Sequence, residues 1–117
     1  MLSVGARRIF LCREAVDMRK SFDSLADLVR TQLAMDPLSG DVFVFIGRDR
    51  TRAKALVWER SGFWLCAKRL ETARFAVPSM DGRRGAVTAL TNAQLATLLE
   101  QVLPRALRHA ATLSPSG

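Results

Sequence analysis

Ten of the eighteen cationic side chains of this 117-residue sequence fall between Arg48 and Arg84: Arg48, Arg50, Arg52, Lys54, Arg60, Lys68, Arg69, Arg74, Arg83 and Arg84. Four carboxylates (Asp49, Glu59, Glu71 and Asp81) share that stretch, which leaves it at +6. The segment before it, Met1 to Gly47, balances six bases with six acids, and the segment after it carries +1. A local field of that sign draws polyanions and speeds their encounter. Fifteen of the eighteen cations are arginine, whose planar fork can donate two parallel hydrogen bonds to a phosphate. A merely solvated basic face, and arginine in place of lysine through GC-rich coding, are the plainer readings of the same counts.

Chemistry of other kinds finds little support. With two cysteines (Cys12 and Cys66) outside any Cys-x-x-Cys pair, and His109 as the single histidine, a structural zinc site lacks its four ligands. Both thiols are expected to be buried. Asp36, Asp41 and Asp49 could in principle form a divalent-metal triple, but each also has an ordinary role as a turn or cap residue. No serine sits in a nucleophile elbow, and the seven glycines are scattered, so no phosphate loop is present. The expectation is a non-enzyme with no cofactor and no metal. No apolar run nears the roughly 20 residues of a membrane helix, and Ile9–Phe10–Leu11–Cys12 is too short for a secretory signal. The expected location is the cytoplasm, with no membrane partner.

The basic residues must be held by local elements. Arg7 to Cys12 reads as a strand. A long helix is expected from Asp17, its cap, to about Ala34, with Met18, Phe22, Leu25, Ala26, Val29 and Leu33 on one face. Arg19 and Lys20 would then sit in its first turn, against the positive end of the dipole. A phosphate there, or a salt bridge to Asp17, Glu14 or Asp23, would relieve them equally well. Asp36 to Gly40 is turn chemistry. Val42 to Ile46, apolar on both faces, reads as a central strand. Ala53 to Glu59 and Phe63 to Leu70 follow across short connections, which predicts an antiparallel meander. Arg74 to Val77 could add a strand, and Ser79 to Gly85 a basic loop. Thr91 and Gln94 have capping-box spacing, with Leu90 and Leu95 as a hydrophobic staple, ahead of a C-terminal helix.

The expected fold class is therefore α+β: an antiparallel three- to five-stranded meander sheet, one long N-terminal helix and one C-terminal helix, in the order β-α-β-β-β-(β)-α. One domain is expected over residues 1–111, followed by a loose tail over 112–117.

On the second long strand Arg52, Lys54, Leu56 and Trp58 share a face. Trp64, Cys66 and Lys68 share one on the next. Cations beside aromatics make a candidate backbone-and-stacking platform. The competing reading, preferred for the two tryptophans, packs them in the core. The cluster Arg48, Arg50, Arg52 and Lys54 is read as functional.

These residues also carry a family resemblance. Asp17–Met18–Arg19–Lys20–Ser21–Phe22–Asp23–Ser24–Leu25 resembles a "DMRKGFDGL" signature, and Asp36 to Phe45 resembles the "DPxSGxxFVF" block after it. Arg52-x-Lys54-x-Leu56-x-Trp58, Gly62–Phe63, Lys68–Arg69–Leu70–Glu71 with Arg74–Phe75, and Leu90–Thr91 with Ala93–Gln94–Leu95 continue the likeness in order. Together they resemble the TnpB-type accessory protein, encoded by the second open reading frame of the IS Sixty-Six insertion sequences, over about Phe10 to Glu100. The resemblance implies a non-catalytic role in DNA transposition beside a separate, larger transposase. Ser21 and Ser24 replace usual glycines, Ala67 replaces an aromatic, and Asn92 replaces a proline.

Two functions follow as expectations. One is DNA binding through Arg48, Arg50, Arg52, Lys54, Lys68, Arg69 and Arg74, with Arg19 and Lys20 secondary. The other is a protein-interaction adaptor that docks the transposase or a second copy of itself, marked by an exposed apolar patch near Trp58 and Trp64. A metal-dependent nuclease using Asp36, Asp41 and Asp49 is a third and weaker possibility.

Overall fold

The computed structural model describes residues 7–75, 87–89, 94 and 97. Its elements in chain order are β1 (Ile9–Cys12), α1 (Phe22–Thr31), β2 (Val42–Ile46), β3 (Arg52–Glu59), β4 (Gly62–Arg69) and β5 (Val87–Ala89). The strands form one sheet in the order β4-β3-β2-β1-β5.

The sheet is mixed, which corrects the all-antiparallel meander. β2, β3 and β4 are antiparallel neighbours as expected, but β1 runs parallel to β2, with Ile9 opposite Val42 and Leu11 opposite Val44. The reason lies in the connection. Between β1 and β2 the chain passes through α1, long enough to carry it back to the same end of the sheet, whereas the later connections are tight turns. β2, central and wholly buried, has the continuous apolar sequence of a strand covered on both faces. β5 joins the far side of β1 in antiparallel register, Cys12 opposite Val87. The extra strand expected at Arg74 to Val77 does not begin there: Arg74 and Phe75 are outside any strand, and Ala76 and Val77 lie outside the described residues. The basic loop from Ser79, Arg83 and Arg84, and the tail lie outside them too. So does the C-terminal helix, apart from Gln94 and Thr97, and it has no place in the element order.

The helix is ten residues long, shorter than the span expected from the Asp17 cap to about Ala34. Asp17 does not cap it. Its carboxylate instead accepts the Arg19 N–H at 2.9 Å, closing a local turn in which the Lys20 N–H also reaches the Asp17 carbonyl. Short polar side chains compete with helix in this way. Ser21 takes over as N-cap, with the Ser24 hydroxyl accepting the Ser21 N–H at 2.9 Å. The two serines that stand in place of glycines are thus the pair that starts the helix. Phe22 is left largely exposed, while Leu25, Ala26, Leu28, Val29 and Leu33 are buried against Phe43, Phe45 and Leu56 on one sheet face.

At its other end α1 closes with the Met35 N–H bonded to the Val29 carbonyl, and Ala34 turned left-handed at φ 53°. Glycine is the usual residue at that position of a helix stop, because a Cβ there strains against the backbone. Ala34→Gly is therefore expected to stabilise the protein by about 0.5–1 kcal/mol. The check is a shift of the urea midpoint to higher concentration with the slope unchanged.

Candidate nucleic-acid interface

The tight connection between β2 and β3 carries the densest run of charge, Arg48–Asp49–Arg50–Thr51–Arg52. Its backbone is pinned. The Gly47 N–H bonds to the Arg52 carbonyl and the Arg50 N–H to the Gly47 carbonyl, both at 2.9 Å. Asp49 Oδ1 accepts the Thr51 N–H and hydroxyl at 3.0 and 2.8 Å. Those bonds, the backbone N–H first, hold the Asp49 carboxyl below its ordinary range. The acid is thus a turn brace, and its ionised charge also lies near Arg52.

Against this connection lies the turn that precedes α1. The Val16 N–H bonds to the Ile46 carbonyl at 3.0 Å, and a Cβ on Gly47 would come within 2.9 Å of Met18 Cγ. Met18 thus passes over Gly47, and a side chain there would have to displace it. Arg19 is clamped to Asp17, whose Oδ2 accepts its Nη2 at 2.7 Å, and the paired bonds hold the Asp17 carboxyl well below the usual range. Of the two ways to relieve Arg19, the structure shows the salt bridge. Because α1 starts at Phe22, Arg19 and Lys20 precede the helix and are not part of its first turn. The Lys54 ammonium donates to the Lys20 carbonyl, tying β3 to the same turn.

The result is two adjoining grooves. One, of about 510 Å³, is lined by Asp17, Met18, Arg19, Arg48, Asp49 and Arg52 among others. The second, of about 400 Å³, is lined by Met18, Arg52, Lys54, Lys68, Arg69 and Glu71 among others. Met18 and Arg52 belong to both. Register explains the second: Arg52 faces Arg69 across β3 and β4, and Lys54 faces Ala67. Lys68 alternates with Arg69 along the strand and still lines the groove.

Six of the nine candidate residues thus meet: Arg19, Arg48, Arg52, Lys54, Lys68 and Arg69. Three carboxylates share the site. Asp17 is paired with Arg19, Glu71 with Arg69 at 2.9 Å, and Asp49 is bound into its turn. Among the described residues, Arg48, Arg52 and Lys68 have no ion pair within 4 Å, and all three are exposed. Lys20 adjoins the groove through Lys54. Arg50 lines a neighbouring cleft with Arg13 and Arg48. Arg74 lines neither groove but sits beside the same turn, since the next residue, Phe75, bonds through its N–H to the Arg50 carbonyl at 2.7 Å. Arg60 lies at the opposite end of the β3–β4 hairpin. Arg83 and Arg84 lie outside the described residues.

The sequence reading missed Met18 as the spacer between the grooves. It placed this residue in the helix stripe, and the one available signal was Gly47 at the end of an apolar strand. The tryptophans are also reassigned. Trp58 is half-buried, edge-on to Phe63 at 5.0 Å between ring centres. Trp64 is 51% exposed and donates to Glu59 Oε1 at 3.1 Å. Cys12 is buried, but Cys66 is only half-buried. Asp36, Asp41 and Asp49 do not converge. Asp36 Oδ1 accepts the Leu38 N–H, and Asp41 is held by Arg8 and Ser39. Among the described residues no three metal-ligating side chains come together, and no helix is long and apolar enough to cross a membrane.

Fold and groove define a small protein whose described residues set one short helix against a mixed sheet and present clustered cations beside it. Comparison with known proteins narrows this. The family model described as IS66 Orf2 like protein matches residues 7–109, and the chain belongs to that family, whose members are accessory proteins of insertion-sequence transposition. Uncharacterized protein y4hO of Sinorhizobium fredii (strain NBRC 101917 / NGR234) is 39% identical over 95 residues, covering 81% of this chain and 80% of that protein. Uncharacterized protein y4jC of the same strain is 37% identical over 76 residues, covering 64% and 65%. No solved structure matches the chain.

Proposed function

We propose that the chain binds DNA as a non-catalytic accessory of insertion-sequence transposition, gripping the phosphate backbone along the paired grooves. The observation that supports this reading is convergence. Three segments remote in sequence, the turn before α1, the β2–β3 connection with the start of β3, and the end of β4, bring six cations to one place. Contacts from these cations to phosphates carry no base code, so binding through them is largely indifferent to sequence. The larger transposase of the element supplies the chemistry under this reading, and the small protein holds or delivers DNA.

Arg50 allows its charge to be tested apart from stability. It holds a left-handed backbone, φ 62°, as Arg60 does at φ 60°, at an exposed turn where glycine would cost less. Arg50→Gly is expected to leave the protein at least as stable to urea while weakening DNA binding several-fold. A variant that loses stability and binding together would argue for a purely structural Arg50.

The direct test is fluorescence anisotropy with labelled duplexes of unrelated sequence. Binding to each at low salt with similar affinity is expected, weakening roughly 10²–10³-fold from 50 to 200 mM salt if four to six phosphates are engaged. No binding at low salt would overturn the proposal.

A further inference from the structure

β4 is the edge strand of the described sheet, eight residues long. It carries Trp64, the most exposed large apolar side chain among the described residues, beside the half-buried Cys66. A long edge with free backbone groups is a template for another strand. The hairpin decides which groups are free. The Leu70 N–H bonds to the Thr51 carbonyl at 2.7 Å, one step beyond the Arg52–Arg69 pair. In an antiparallel ladder such bonded pairs alternate with unbonded ones. Gly62, Trp64, Cys66 and Lys68 therefore bond inward to β3, and Phe63, Leu65, Ala67 and Arg69 point their N–H and C=O groups outward.

We propose that a second copy of this chain docks on β4, strand to antiparallel strand, about a two-fold axis at Cys66. Outward groups must meet outward groups, so the symmetric registers near the strand's centre have Leu65, Cys66 or Ala67 on the axis. Only the Cys66 register sets both cations of β4 opposite aromatics: Lys68 against Trp64 and Arg69 against Phe63, each twice, with Leu65 against Ala67. Cation–aromatic pairs across strands are favourable, and like charges directly opposed are not. With Leu65 on the axis, Lys68 and Arg69 meet Gly62 and Ser61; with Ala67 on it, they meet Cys66 and Leu65. Charge and aromatic complementarity thus select both the partner, a second copy, and its register. The axis stands perpendicular to the sheet, so both copies keep α1 on one side, and the two Arg69 positions lie about 20 Å apart along the paired strands. If the grooves bind DNA, the pair would present both on one face. The docking itself does not depend on that reading.

In this register the two Cys66 residues form an unbonded pair, the position where facing side chains are closest. Linking two thiols as a disulfide removes two electrons and two protons, which diamide accepts; burial raises the Cys66 thiol above its ordinary pKa and so lowers its reactive thiolate fraction. Analytical ultracentrifugation of the full chain should give twice the monomer mass. Ala67→Pro removes an outward N–H that β3 does not use, a place where an edge strand tolerates proline, and should halve the mass with circular dichroism unchanged. Diamide oxidation should give a disulfide-linked pair on a non-reducing gel, retained in Cys12→Ser and lost in Cys66→Ser. If Ala67→Pro fails to fold, the Cys66 link decides. A wild-type monomer, or a dimer with no Cys66 link that survives Ala67→Pro, would overturn the proposal. The same dimer with no DNA affinity would leave the docking standing and remove the DNA reading.

Discussion

Replacing Arg48, Arg52 and Arg69 together by alanine is expected to lower duplex affinity roughly 10²-fold, taking about 1 kcal/mol for each phosphate no longer gripped. The three come from two parts of the chain. Arg48 and Arg52 bracket the β2–β3 connection, and Arg69 stands opposite Arg52 in register. All are exposed, so truncation removes charge without opening the core, and surface changes of this sort usually shift stability by less than about 0.5 kcal/mol. A normal unfolding curve beside weakened binding is the expected combination. The effect should be uniform across duplex sequences, since backbone contacts carry no base information. Arg60→Ala, set beside Arg52→Ala alone, is the control for charge. It removes one cation from the far end of the hairpin and should change affinity much less. Equal losses in those two single variants would mean that net charge, and not the groove, attracts the DNA.

Phe45→Ala should act on stability instead, and severely. Phe45 is fully buried in β2 and packs in the cluster with Leu25, Val29 and Leu56 that joins α1 to the sheet. Truncating a buried phenylalanine costs about 3–5 kcal/mol through reduced burial and the cavity left behind. Small domains have only about 5–15 kcal/mol in total. The expected Tm falls by roughly 15–25 °C, readable by differential scanning calorimetry. The grooves are built on the ends of β2, β3 and β4, so DNA binding should fail at the temperature where the sheet melts. A Tm within a few degrees of wild type would contradict the packing of α1 on this face.

The two variants separate what sequence could reveal from what it could not. The apolar run Val42 to Ile46 marked a central strand, because only a strand covered on both faces can be apolar throughout. The tight turns after it marked the antiparallel neighbours. Parallel pairing of β1 with β2 was hidden, because it depends on where a helix-bearing connection delivers the chain and not on any local pattern. Asp17 misled for a related reason: the same carboxylate serves as a helix cap or closes a turn of its own, and only the later Ser21–Ser24 pair settled where α1 begins. Period-two alternation put Trp64 on a defined face of β4 but could not show that β4 is an edge, so its exposure was missed.

The candidate site was legible in part. Charge counting by segment located Arg48, Arg52, Lys54, Lys68 and Arg69, since cations rarely sit in a core and must share the outside of whatever sheet carries them. That Arg19 would join them followed from no spacing rule. It depends on Met18 crossing Gly47, a meeting of residues 29 apart in sequence.

The most direct measurement is the slope of log affinity against log salt for wild type and for the Arg48, Arg52 and Arg69 triple alanine variant on one duplex. Each phosphate contact contributes about −0.9 to that slope, so the variant's slope should be shallower by roughly 2.7. Two parallel lines, whatever their offset, would show that these three arginines do not touch the backbone and would contradict the groove as the DNA-binding surface.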